Sequence, residues 1–153
     1  MLKTVKRKSF RASNATFAIV ASQYNARYVD AMLRAAMTEF KKAGTKNIQA
    51  IRVPGAYEIP VVAARLAREG SVSAIVCLGV ILRGETAHAA HIGEAVSQAL
   101  MQIQLRYEVP VIHEVLLLDN EEQARVRCLG AKHNRGAEAA QTALAMAQVM
   151  EKL

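Results

Sequence analysis

Residues 74–81 read Ala-Ile-Val-Cys-Leu-Gly-Val-Ile, and residues 82–88 continue Leu-Arg-Gly-Glu-Thr-Ala-His. Eight uncharged residues rich in β-branched types are the pattern of a strand buried on both faces, as in the middle of a parallel sheet. The polar turn at 83–86 hands over to a helix reaching about Tyr107, with Thr86 as its expected N-cap. Strand, glycine-bearing turn and helix together make one β-α unit.

The same unit recurs on both sides. Residues 16–21 (TFAIVA) form a second continuous apolar run. Asn25 then opens a helix in which Tyr28, Met32, Leu33, Ala36, Met37 and Phe40 share one face. Lys41, Lys42 and Gly44 suit its carboxyl end. Residues 47–53 read as a strand, Pro54-Gly55 as a turn, and 59–68 as a short helix that tolerates Pro60 in its first turn. After Pro110 come a fourth strand at 111–117, a short helix through Arg127 capped by Asp119 or Asn120, a loop at 130–136, and an Ala-rich helix ending near Lys152. Alternation of this kind predicts an α/β fold: a three-layer α/β/α sandwich, flavodoxin-like, around a mostly parallel four-stranded sheet.

Bulk properties narrow the function. The chain has 153 residues, a formal charge of +7, two cysteines and no tryptophan. That length fits one domain, expected at 16–153 behind a basic arm at 1–15 that carries Lys3, Lys6, Arg7, Lys8 and Arg11. The arm reads as a solvated tail, and no RNA-binding signature accompanies it, so nucleic acid is not an expected partner. Without Trp, small aliphatic residues must fill the core, and the many alanines point to close helix packing. Cys77 and Cys128 lack metal-ligand or CxxC spacing. No apolar run is long enough for a membrane span and no signal core precedes the domain, so a cytoplasmic protein is expected. The chain carries neither a GxGxxG turn nor a nucleotide P-loop, which counts against NAD and ATP chemistry.

In open α/β sheets, ligands bind beyond the carboxyl ends of the strands. The loops there are 22–25, 53–58 and 82–88, with 118–120 as a fourth. His88 sits at a helix start, where free N–H groups attract anions and an imidazole can move protons near neutral pH; a solvent-exposed, hydrogen-bonded histidine would fit the position equally. Gly84-Glu85-Thr86 could cradle a phosphate. Tyr24 either stacks on a flat heterocycle or covers the core. Glu58 could be explained by capping alone. Arg127 and Arg135 are solvated surface groups or phosphate forks. His91 faces with His88, three residues away, but no Cys or carboxylate pattern supports a metal, and none is expected.

Four segments carry a resemblance. Val53-Pro54-Gly55-Ala56-Tyr57-Glu58-Ile59-Pro60, residues 78–88 (LGVILRGETAH), Ser22-Gln23-Tyr24-Asn25, and Glu122-Gln123-Ala124 with Arg127 followed by Asn134-Arg135-Gly136 resemble, in order and spacing, the motifs of the lumazine synthases. The resemblance runs from about Thr16 to the C-terminus. It implies condensation of 5-amino-6-(D-ribitylamino)uracil with 3,4-dihydroxy-2-butanone 4-phosphate to 6,7-dimethyl-8-ribityllumazine, without a cofactor, in riboflavin biosynthesis. It implies that Tyr24, Asn25, Ala56, Tyr57, Glu58, Val80, Ile81 and Leu82 bind the pyrimidine and its ribityl chain. Glu85 and Thr86 would hold the phosphate, His88 would transfer protons, and His113 and Arg127 would come from a neighbouring subunit. Arg135 matches a basic family residue. Homo-oligomers follow from the same resemblance: pentamers, in some members joined into sixty-subunit shells, with sites between subunits. The sequence departs from the family where Ala89 and Ala90 follow His88, where His113 replaces an apolar or aromatic ring cover, and where Leu82 replaces Ile. These departures leave a second reading, a self-assembling scaffold with a weakened site.

Overall fold

Two strands, β1 (Thr16–Ser22) and β3 (Ala74–Leu82), lie side by side in the middle of a four-stranded sheet. β2 (Asn47–Val53) flanks β1 and β4 (Val111–Leu118) flanks β3, giving the order β2-β1-β3-β4 with every pairing parallel. A computed structural model describes residue 12 and residues 14–153; the basic arm expected at 1–15 therefore falls largely outside the described residues. Ala12, within that stretch, is buried and donates its N–H to the Ala43 carbonyl at 3.1 Å.

Parallel strands require crossovers, and the crossovers are helical. Helix α1 (Ala26–Lys42) and, at the end of the chain, α5 (Arg135–Glu151) cover one face; α2 (Ile59–Glu69) and α3 (His88–Tyr107) cover the other. A short α4 (Glu121–Cys128) completes the chain order. The expected three-layer α/β sandwich is thus observed, and its sheet, expected to be mostly parallel, is entirely so. The central strands are buried along nearly their whole length, whereas β2, at the edge, exposes Asn47, Gln49, Ala50 and Arg52.

The absence of Trp sets the packing style. Phe17 and Phe40 supply the one aromatic pair among the described residues, with centroids 4.7 Å apart, worth about 0.5–1.5 kcal/mol beyond burial. Most other contacts are aliphatic. The buried face of α5 is made of Gly136, Ala139, Ala140, Ala143, Leu144 and Ala147, small enough to bring its backbone close to α1. On α1 the expected face is present, with Val29 buried as well and Leu33 and Met37 at its margin.

One cap differs from expectation. α3 begins at His88, with Ala87 in the cap position and no side-chain cap; Thr86 instead accepts the His88 N–H at 3.4 Å, a short side-chain turn just ahead of the helix. Asn25 does precede α1, but in the left-handed region (φ 56°), and its side chain turns away from the helix. Of the two candidates for α4, Asn120 is the cap and accepts the Gln123 N–H at 2.9 Å.

Gly136 marks the tightest approach. A Cβ built there would lie 2.0 Å from the Met32 carbonyl oxygen of α1, so any side chain must push two helices apart. Overpacking of this kind costs roughly 3 kcal/mol. Gly136→Ala is expected to lower the midpoint of thermal unfolding by several degrees; an unchanged midpoint by differential scanning calorimetry would show that the helices yield freely.

Candidate active site

The strand order reverses between β1 and β3: the chain leaves β1 for one face and β3 for the other. A crevice opens beyond their carboxyl ends, as it must at such a point. It holds a cavity of about 910 Å³. Three segments wall it: the end of β1 with Tyr24 and Asn25, the 3-10 turn Ala56–Glu58, and the end of β3 running through Gly84 and Thr86 into α3.

Each wall has a local cause. The carbonyl of Val80 lies beyond the last β1–β3 pair, Ala21 with Leu78, and would otherwise lack a partner on that side. The Asn25 amide donates to it at 2.7 Å. The left-handed backbone at Asn25, which Asn tolerates better than most residues, aims the side chain there. Tyr24 and Tyr57 are both largely exposed, at 75% and 65%, so neither ring is committed to the core. For Tyr24 this decides against a core-covering role. Glu58 leaves the helix cap unused and folds its carboxylate over Gly55, where a Cβ would meet Oε2 at 2.9 Å. The Arg52 guanidinium braces the floor from outside, donating to the Ala21 and Ser22 carbonyls at 3.2 and 2.9 Å and to Asp30 at 2.6 Å.

Most of the candidate residues meet here. Tyr24, Asn25, Ala56, Tyr57, Glu58, Val80, Ile81, Leu82, Thr86 and His88 all line the one cavity. Glu85, His113, Arg127 and Arg135 do not. Glu85 is exposed in the adjoining turn. His113, on the edge strand β4, has both ring nitrogens engaged: Nδ1 accepts the Val115 N–H at 3.1 Å and Nε2 lies 2.7 Å from Ser97 Oγ, which itself donates to the Gly93 carbonyl. An accepting Nδ1 places the proton on Nε2, so the ring is held as one neutral tautomer, and burial lowers its pKa. Arg127 is exposed on α4 and has no hydrogen-bond or ion-pair partner among the described residues. Arg135 is engaged elsewhere, with Glu138 at 2.9 Å and Glu114 at 3.9 Å.

Helix α3 contributes more than the sequence reading named. His88, His91, Ile92 and Ala95 line the wall at the i, i+3, i+4, i+7 spacing of a single helix face. Counting that period forward from His88 would have found them. Among the described residues no Lys or Arg lines the cavity.

A sequence model of the 6,7-dimethyl-8-ribityllumazine synthase family matches residues 14–151. The chain belongs to this family. It is 42% identical over 142 residues to the 6,7-dimethyl-8-ribityllumazine synthase of Stenotrophomonas maltophilia (strain R551-3), covering 92% of both chains. It is 40% identical over 145 residues to that of Xanthomonas euvesicatoria pv. vesicatoria (strain 85-10) and 39% identical over 145 to that of Xylella fastidiosa (strain M12), covering 94% of both chains in each case. Synthases in this family act on small molecules, and the cavity's size suits such a ligand.

Behind Arg135 lies a group that no motif pointed to. The Glu114 side chain is 16% exposed, and burial pushes its carboxyl up to about 7, against the pull of Arg135 and with the push of Glu138. Its alternation with His113 on β4 was the only signal, and alternation cannot say which carboxylate will be covered. Because the folded pKa stands above the unfolded one, the folded state binds the extra proton. The penalty is absent below the unfolded value near 4.5 and complete above about 7. Glu114→Gln should therefore gain on the parent by about 3 kcal/mol between acid and neutral pH. Urea midpoints at pH 5 and pH 7.5 check it: a gap between variant and parent that does not widen with pH rules the effect out.

Proposed function

We propose that this chain catalyses the synthase reaction of its family. The amine of 5-amino-6-(D-ribitylamino)uracil condenses with the ketone of 3,4-dihydroxy-2-butanone 4-phosphate, water leaves, phosphate is eliminated, and ring closure with loss of a second water gives 6,7-dimethyl-8-ribityllumazine. The observation that carries this reading is the cavity itself: it gathers on one wall two exposed tyrosines and a carboxylate, and on the other a histidine at a helix start. The tyrosines suit a flat pyrimidine and Glu58 the hydroxyls of the ribityl chain. Main-chain groups of Val80, Ile81 and Leu82 edge the ring. Glu85 and Thr86, in the turn before α3, hold the phosphate at the helix end, where N–H groups point outward. His88 transfers protons. Most of the acceleration comes from holding two reactants together, since no covalent help from the protein is needed.

One feature of the cavity calls for a second copy of the chain. A phosphate dianion in a crevice that no Lys or Arg among the described residues lines lacks a counter-charge. Arg127, exposed and unpaired, supplies it from a neighbouring subunit, and His113 on the edge strand covers the pyrimidine from the same neighbour. Arg135, already paired with Glu138, is a weaker phosphate ligand. The reading thus makes the protein an oligomer with shared sites, at least a pentamer, working in the cytoplasm. Ala89 and Ala90 favour one alternative, a shell-forming scaffold with a weakened site; Ala89 is buried against the α2–α3 core, so its small size is part of the packing.

Turnover is measured as lumazine absorbance from the two substrates. His88→Ala is expected to lower kcat about 100-fold. Arg127→Ala is expected to raise KM for the butanone phosphate while leaving that for the pyrimidine near the parent value. A parent rate equal to the uncatalysed condensation would remove the enzyme reading and leave the scaffold.

A further inference from the structure

The α3 wall of the cavity carries two imidazoles. His88 and His91 both line it, one helical turn apart, with Ile92 and Ala95 continuing the same face. Residues three apart on a helix hold their Cβ atoms about 5–6 Å from one another. Both histidines are exposed, and neither ring has a hydrogen-bond or ion-pair partner among the described residues. His113 shows the opposite condition, with both nitrogens satisfied inside its own chain. A ring tied at both ends has no free nitrogen for proton exchange. Two untied rings on one cavity wall are available to whatever enters.

The surroundings leave the proton chemistry to this pair. Ala89 and Ala90 stand between the two histidines, so the intervening turn offers no carboxylate to hold or assist either ring. The other titratable side chains lining the cavity are Glu58 and the phenols of Tyr24 and Tyr57, on the facing segments. Glu85 lies in the turn before α3 and Glu94 on the helix itself, and neither lines the cavity.

We propose that His91 is a second proton-transfer group of this site, acting with His88. The inference rests on the synthase reading above. That reaction moves protons in both directions on one substrate. Departure of phosphate requires a base to take the proton from the hydroxyl-bearing carbon beside the imine. The electron pair of that C–H bond ends in a carbon–carbon double bond as the C–O bond to phosphate breaks. The two dehydrations require an acid to give a proton to a hydroxyl that leaves as water. A neutral imidazole performs the first task and a protonated one the second. The proton taken from carbon balances the departing phosphate, which leaves as hydrogen phosphate; the hydrogens of both waters come from N–H groups of the pyrimidine, and no further reactant is consumed. Two rings one turn apart can hold the two states at once, which a single ring cannot.

Steady-state kinetics of the full chain and its His91→Ala and His91→Gln variants, followed from about pH 5.5 to 8.5, test the pair. The expected result is a kcat at least about tenfold lower in His91→Ala, KM values within about twofold of the parent, and loss of one limb of the pH profile of kcat. Glutamine can hydrogen-bond but cannot exchange a proton in this range, so His91→Gln should stay as slow as His91→Ala. A His91→Ala variant with the parent's kcat and pH profile overturns the proposal. So does full recovery in His91→Gln, which would reduce His91 to a hydrogen-bonding contact. In both cases turnover by the parent leaves the synthase reading standing; a parent without turnover removes both. Circular dichroism checks folding, and an exposed helical His→Ala change should preserve it.

Discussion

A parallel pair of buried strands cannot be joined by a tight turn, and most of this structure follows from that constraint. β1 and β3 hydrogen-bond to each other, yet each must be followed by a helix lying over the sheet. β1 sends its chain to the α1–α5 face and β3 to the α2–α3 face. The two exits diverge, and between them the sheet has no lid. Nothing else in the fold needs to create a binding crevice. The Asn25–Val80 hydrogen bond, 2.7 Å long, ties the two diverging exits together at their base. Side chains facing the crevice are then free of packing duties, which is why two tyrosines stay exposed there in a chain short of aromatic residues.

Charge is distributed in a way that the net value of +7 conceals. Much of the basic excess lies in the N-terminal stretch, and much of the rest is consumed on the surface. Arg83 pairs with Asp119, Arg125 with Glu122, Arg65 with Glu69 and Arg135 with Glu138. Pairs of that exposure contribute at most about 1 kcal/mol each. Their consequence here is exclusion: cations already neutralised are poor anion ligands. Arg127 escapes because no carboxylate lies within reach on α4, whose acidic residues cluster at its first turn while Arg125 takes Glu122. Both cysteines are similarly out of play. Burial pushes the Cys77 thiol up to about 12 and that of Cys128 to about 11, so neither forms the thiolate that redox or nucleophilic chemistry requires.

What could be read from sequence divides along the range of the forces involved. Strand and helix identity depend on local periodicity, and the run at 74–81 announced a central strand without help from any other segment. The candidate site was legible because its loops all follow strands and a topological rule collects them in one place. Features that depend on distant partners were not legible. Thr86 looked like a helix cap because the usual pattern fits, but the turn ends one residue later and Ala87 takes the position. Asn25 was read only as the opening of α1; its side chain's partner is a carbonyl 55 residues away. Glu114 gave only its alternation with His113, since its burial is decided by the packing of α5 over β4. His91 was noticed only as a neighbour of His88, and its place in the wall emerges once α3 is known to present that whole face to the crevice.

The contact between Gly136 and Met32 reaches beyond stability. Asn134 accepts the N–H groups of Gly136 and Ala137 and donates to the Cys128 carbonyl at 2.6 Å, so the end of α4 and the start of α5 are clamped to one another, and Gly136 clamps both to α1. The three-residue unit at 134–136 therefore works as a fixed datum. Natural length variation between the two helices has to be absorbed upstream, at 131–133, where the chain is exposed and carries no comparable tie. A lineage could lengthen that segment, or decorate it with a new recognition loop, without shifting a single helical residue out of phase.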